Sequence, residues 1–203
     1  MKSKFHSQRK PASKAMKQGA TMALLIGLSA AAIQAQQKSV KMTFSGTGEN
    51  SAFNLYPGAG SSEDNFAGDG TFGSFTFRDL AAELPSSSPP STCSGPDNLY
   101  FTRVITTGVF RFEDGSLLTV SLKQGSDCID LKANQAHCTV IFQIVSGTRR
   151  FRNATGILTF TETVVPVVAD ASKNPVFFAA SGEFTGTVSG VSGGDDDRWN
   201  GRH

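Results

Sequence analysis

The sequence is poor in the residues that motif-based chemistry needs. Its 203 residues hold three cysteines, three histidines and one tryptophan, and only 18% are charged. It has no CxxC or HExxH spacing and no glycine-rich phosphate loop. That excludes the redox dithiols, zinc proteases and nucleotide binders that those spacings encode. His137 is the only histidine near the thiols, and neighbouring strand positions point to opposite faces. Neither a metal centre nor a His137/Cys138 catalytic pair is therefore expected, and no catalytic residue and no cofactor is assigned. Charge and Leu/Ala repeats are too sparse for a long coiled coil. The apolar run from Ala20 to Ile33 is too short and too weakly hydrophobic for a membrane-spanning helix. Disorder throughout is excluded by what is abundant: hydrophobic residues make up 38%, with 16 phenylalanines and 21 glycines. Phenylalanine to fill a core and glycine for turns and bulges point to an all-β domain.

The first 35 residues read as a signal peptide. Lys2, Lys4, Arg9, Lys10, Lys14 and Lys17 form a basic region without acids, the apolar run follows, and Ala30-Ala31-Ala32-Ile33-Gln34-Ala35 supplies small residues for cleavage. Cleavage is expected after Ala35, with Ala32 as the alternative. The remaining 168 residues carry 13 basic and 17 acidic side chains, a net charge of −4, so the +2 of the whole chain misleads. The only basic cluster is Arg149, Arg150 and Arg152, which suits a hairpin end better than a polyanion site; no nucleic acid partner is expected. A secreted or periplasmic location follows, with no stable membrane insertion after leader cleavage. No feature points to an oligomeric state.

Export permits disulfides, and three thiols allow one bridge. Cys93 and Cys128 each lie in a polar segment at an element end and form the preferred pair; Cys128 with Cys138 is the alternative. Cys138 opens an apolar run, as a buried free thiol would.

Period-two alternation marks the strands. Val40, Met42 and Phe44 share one face of Ser39 to Ser45. Gly46 to Gly70 reads as an ordered loop, Thr71 to Arg78 as a strand, Asp79 to Leu84 as a short helical turn, and Pro85 to Thr92 as a surface excursion. Leu99 to Phe112 is a strand with Gly108 as a bulge, turning at Glu113-Asp114-Gly115-Ser116 into Leu117 to Leu122. Gln124 to Ala136 is mostly turn and short strand. Thr139 to Val145, Gly156 to Thr163, Val176 to Ala180 and Glu183 to Ser189 complete seven to nine strands over a domain spanning 36–190. A polar tail, 191–203, follows; its Asp195-Asp196-Asp197 lacks the spacing of a calcium loop. A meander of this kind protects its edges by closing, so a closed antiparallel barrel of about eight strands is expected, with a two-sheet sandwich as the alternative.

The segment Gly147-Thr148-Arg149-Arg150-Phe151-Arg152-Asn153-Ala154-Thr155-Gly156 resembles the GTGxFxxAxG signature of the allene oxide cyclase and dirigent β-barrels and of related exported bacterial proteins. Gly147, Phe151, Ala154 and Gly156 match, and Arg149 replaces the second glycine. The closing stretch Ser181 to Gly190 is also similar, so the resemblance covers Leu99 to Gly190. It implies a barrel that holds a small hydrophobic ligand. The characterised members isomerise a fatty-acid epoxide or steer phenoxy-radical coupling. None of their functional residues maps onto this chain.

Two residues are candidates for ligand contact. Glu162 shares strand parity with Leu158 and Phe160, which turns it inward, where desolvation would raise its pKa. Arg103 lies between Phe101 and Ile105 on one face and could bind a carboxylate. Glu183 is a further carboxylate weighed as an acid or base. Three functions fit: a non-enzymatic structural or surface-associated barrel, placed first, a carrier of a small hydrophobic molecule, and an isomerase- or cyclase-like enzyme. A packed lumen marks the first, a cavity the second, and a cavity with convergent polar groups of shifted pKa the third.

Overall fold

The computed structural model describes residues 37–171 and 175–192. The leader and the tail with Asp195, Asp196, Asp197 and Trp199 lie outside the described residues. Eight strands follow one another: β1 (Lys38–Asn50), β2 (Gly60–Gly70), β3 (Phe75–Pro85), β4 (Asn98–Phe112), β5 (Leu117–Asp130), β6 (Gln135–Gly147), β7 (Thr155–Ala169) and β8 (Pro175–Ser189). Each pairs antiparallel with the next, and β8 returns to β1, so the sheet closes into a barrel. Closure leaves no strand edge unpaired. The sandwich alternative is excluded.

The inward positions are those that alternation marks. Val40, Met42 and Phe44 are buried between exposed Ser39, Lys41 and Thr43, and Leu118 and Val120 repeat the pattern on β5. Phe184 is the hub of an aromatic plug across the lumen. Its ring centroid lies 4.8 Å from Phe110, 5.0 Å from Phe77, 5.0 Å from Phe160 and 5.1 Å from Phe44. Each such side chain contributes roughly 1.5–3 kcal/mol relative to an exposed one.

The barrel end formed by the β2–β3, β4–β5 and β6–β7 turns is sealed. Phe72 and Phe151 meet edge to face at 5.2 Å, and Phe112 lies 4.8 Å from Phe151. The Arg150 guanidinium stands over both Phe112 and Phe151, at 5.1 and 4.9 Å, pairs with Asp114 at 3.1 Å and donates to the Phe72 carbonyl at 2.8 Å. The arginine cluster is thus partly a clamp on this seal. The GTGxFxxAxG residues build the same end. Phe151 is fully buried, and a Cβ on Gly147 would collide with the Phe151 backbone and lie 2.7 Å from its Cβ. Arg149 adopts a left-handed φ of 50°, a backbone that the replaced glycine would accept without strain.

Several local expectations are corrected by long-range pairing. The stretch read as a loop is largely strand, because β1 runs to Asn50 and β2 starts at Gly60. The expected helical turn at Asp79 to Leu84 is the second half of β3, held between β2 and β4. Residues 71–74 are a turn, and Phe72 folds over the barrel end. The register shift in β4 lies near Val104, not at Gly108; Gly108 instead gives its side-chain space to the Phe77 ring. The stretch from Gln124 is continuous β5 strand to Asp130, with a register shift after Leu122.

Candidate functional site

The other barrel end carries the β1–β2, β3–β4, β5–β6 and β7–β8 connections and opens into a cavity of about 790 Å³. Its walls include Leu99, Phe101, Ile129, Val164 and Phe178. Its floor is polar, and strand register assembles it. Asp64 of β2 pairs with Asp79 of β3, and Glu83 of β3 pairs with Arg103 of β4. Across the barrel, Asp127 of β5 pairs with Cys138 of β6, and Cys138 with Glu162 of β7. Phe66, Phe77 and Phe160, each two residues from an acid of this layer, belong to the aromatic plug.

Glu162 and Arg103, the two candidates from sequence, come together here. Both are buried, at 4% and 7% exposure, and both line the cavity. Arg103 keeps Phe101 beside it but loses Ile105, because the register shift near Val104 transfers the inward face to Thr106. Its Nε donates to both Asp127 oxygens, at 3.0 and 2.9 Å, while its Nη1 is buried without a partner. Glu183 is on the outer surface, 3.2 Å from Lys41.

Desolvation governs the titration of this floor. It raises Asp79 well above the ordinary carboxyl range, and the facing Asp64 adds to the shift. Asp64 is itself raised by burial, against the pull of Arg103. Two touching carboxyls do not both ionise, and a proton on Asp79 supplies the donor that its buried oxygens otherwise lack. Burial pushes Glu83 to about 8, helped by its hydrogen bond to Asp127 and by the charge of Asp127. Burial also lifts Glu162 to about 8, with the charge of Asp64 adding to it. Burial works against an ionised Asp127 too, but Arg103 and hydrogen bonds from Glu83, Arg103 and Cys138 outweigh it and hold Asp127 below its usual value. The Cys138 thiol is pushed far up by burial and then by Asp127, so it stays protonated. The floor is the Arg103–Asp127 ion pair, an Asp64/Asp79 pair that shares a proton, and two acids, Glu83 and Glu162, that are protonated at neutral pH. Among the described residues no group of three or more His, Cys, Asp or Glu side chains has metal-ligand geometry.

Cys93 and Cys128 form the disulfide, and Cys138 is free and buried. The bridge ties a single 3-10 turn, Ser91–Cys93, to β5 one residue beyond Asp127. It thereby anchors the β3–β4 connection beside the open end.

The sequence reading missed Asp64, Asp79, Glu83 and Asp127. The signal was parity: Asp79 continues the inward series of Phe75 and Phe77, and Asp64 that of Phe66. Those residues were hidden in segments read as turn and loop.

No protein-family model and no curated protein matches the chain. Among solved structures, the chain is similar to Ail, the attachment invasion locus protein of Yersinia pestis. Identity is 9% and the TM-score 0.18, over 75% of this chain and 97% of that one. One expectation is withdrawn on the closed architecture itself, that of no stable membrane insertion. A closed barrel satisfies its own backbone hydrogen bonds and can cross a bilayer with strands. That no helix among the described residues is long and apolar enough to cross a membrane says nothing about such a barrel.

Proposed function

We propose that this chain is an exported barrel that binds a small amphipathic molecule in its open end. The observation that carries the reading is the half-filled lumen. An aromatic plug closes one side, and above it a cavity of about 790 Å³ has apolar walls and a buried polar floor. That volume lies within the range of small-ligand sites. A purely structural barrel would gain stability from packing both halves, and desolvated carboxyls cost stability unless their hydrogen bonds are completed. Buried Arg103 Nη1 and Glu162 Oε1 lack protein partners, as the contact atoms of a binding site would. The Cys93–Cys128 bridge and the basic-apolar-small leader pattern support a secreted or periplasmic location. Membership of the allene oxide cyclase and dirigent-like group is supported by the structural use of Gly147, Phe151 and Ala154 at the sealed end.

A second reading rests on Glu83 and Glu162. Carboxylic acids held near 8 are protonated at neutral pH and can give a proton to a bound substrate, as an isomerase or cyclase requires. Native mass spectrometry of the purified protein, followed by solvent extraction, tests the binding reading. A reproducible small-molecule adduct, lost in a cavity-filling Ala136→Trp variant that still folds, is the expected result. A wild-type mass free of adduct, together with no saturable uptake of any apolar probe, would overturn it.

A further inference from the structure

We propose that the cavity selects amphiphiles with a cationic head, a primary ammonium on an apolar body, over those with a carboxylate head. This rests on the binding reading and adds the chemistry of the head group. Among the described residues, five carboxyl side chains line the cavity, Asp64, Glu83, Asp127, Asp130 and Glu162, against one guanidinium, that of Arg103. No described lysine or histidine lines it. The charge of Arg103 is already committed, because its Nε is shared by both oxygens of Asp127. Four carboxyl oxygens of the floor have no hydrogen-bond partner, both of Asp79 with Asp64 Oδ1 and Glu162 Oε1; of these residues Asp64 and Glu162, only 3% and 4% exposed, line the cavity.

An ammonium supplies three donors and one positive charge, which matches two free acceptors within a ring of acids. A carboxylate head brings a further negative charge beside ionised Asp127, and to be held it needs Glu162 to keep its proton as well as Arg103 Nη1 as a donor. Seated against Glu162, an ammonium stabilises the ionised acid, so binding drives a proton from the floor into solvent. The groups that face Glu162 act in the same equilibrium, Asp64 from β2, Asp79 from β3, Arg103 from β4, Asp127 from β5 and Cys138 from β6, and Glu83 from β3 joins it through Asp127 and Arg103. The cavity residues contributed by β1 and β8, such as Asn50 and Phe178, do not titrate.

Calorimetry of the full chain with octylamine, 1-octanol and octanoate tests the inference, since the three share a chain length and differ in the head. Octylamine is expected to bind at least about tenfold more tightly than either of the others. Its binding should strengthen between about pH 6 and 8 and release on the order of one proton, read from buffers of different ionisation enthalpy. Glu162→Gln, with its fold checked by circular dichroism, should lose most of the preference and of the proton release. Equal or tighter binding of octanoate, or equal binding of all three, overturns the head-group inference and leaves the binding reading standing. Octylamine binding that survives in folded Ala136→Trp lies outside the cavity and also overturns the inference. Saturable binding of none of the three sinks both readings.

Discussion

The polar floor predicts that the protein loses stability as pH rises through the neutral range. Glu83 and Glu162 are held near 8, against an ordinary 4.5, by burial first and by neighbouring acids second. Between those two values the folded protein keeps protons that the unfolded chain has released. The contribution of each group is complete below about 4.5 and is lost as pH rises through about 8, at up to about 1.4 kcal/mol per pH unit. Asp64 and Asp79 are also raised and act in the same direction. Asp127 has the opposite sign: its contribution is present above its ordinary 3.8 and is lost as pH falls, below the window of interest. From pH 5.5 to 7.5 the loss should be roughly 3–5 kcal/mol, a large part of the stability of a typical domain. Urea melts at intervals across that range, at constant salt, measure it directly. Glu162→Gln should remove about a third to a half of the slope, because glutamine holds its hydrogens at every pH. Stability that is flat or rising with pH, or a slope unchanged in Glu162→Gln, would refute the buried-acid account of the floor.

Three further perturbations probe what holds the site in place. The Cys93–Cys128 bridge spans 35 residues, so Cys93→Ser with Cys128→Ser should cost about 4 kcal/mol by loop-closure entropy, read as a lower urea midpoint. Arg103→Met leaves Asp127 buried without its partner and should cost about 3–5 kcal/mol, whereas Arg103→Met with Asp127→Leu should recover much of that; melts that rank the double variant below the single one would contradict it. Phe184→Ala opens a void at the hub of the aromatic plug and should cost about 3–5 kcal/mol in thermal or urea unfolding, more than an equivalent change at exposed Phe53.

Strand parity made much of the barrel legible. Leu118, Val120, Phe184 and Val188 point inward as their alternation requires, and Glu162 follows Leu158 and Phe160 into the lumen. Parity was equally informative for Asp64 and Asp79, but their segments have weak local strand signals. Gly, Ser, Asn and acidic residues fill β2, and Asp79-Leu80-Ala81-Ala82-Glu83 in β3 has the composition of a helical turn. Pairing on both sides overrides that local preference. The face switch near Val104 was not legible either. It separates Arg103 from Ile105, and only the register of β4 against β3 reveals it. The site therefore hid in the strands with the least strand-like composition, because the residues that serve the cavity displace the β-branched and aromatic residues by which strands are recognised.

The two halves of the lumen depend on each other. Carboxyls as buried as Asp64 and Asp79 persist only where the rest of the structure offsets their desolvation. Here the offset adjoins them, since the Phe66, Phe77, Phe110, Phe160 and Phe184 rings are fully or almost fully buried. The sealed end, with Arg150 over Phe112 and Phe151, keeps water from those rings on the far side. The plug thus both stabilises the barrel and lowers the polarity around the floor, and that low polarity is what raises Glu162 to about 8. A change in the plug should therefore be felt in the titration of the floor. In Phe160→Ala, two residues from Glu162 on the same face of β7, water gains access beneath the acid, and the Glu162 pKa should fall toward its ordinary 4.5. Carbon-detected NMR titration of the Glu162 carboxyl measures this. A pKa that stays near 8 in a folded Phe160→Ala protein would show that the neighbouring acids, rather than the aromatic plug, set the chemistry of the site.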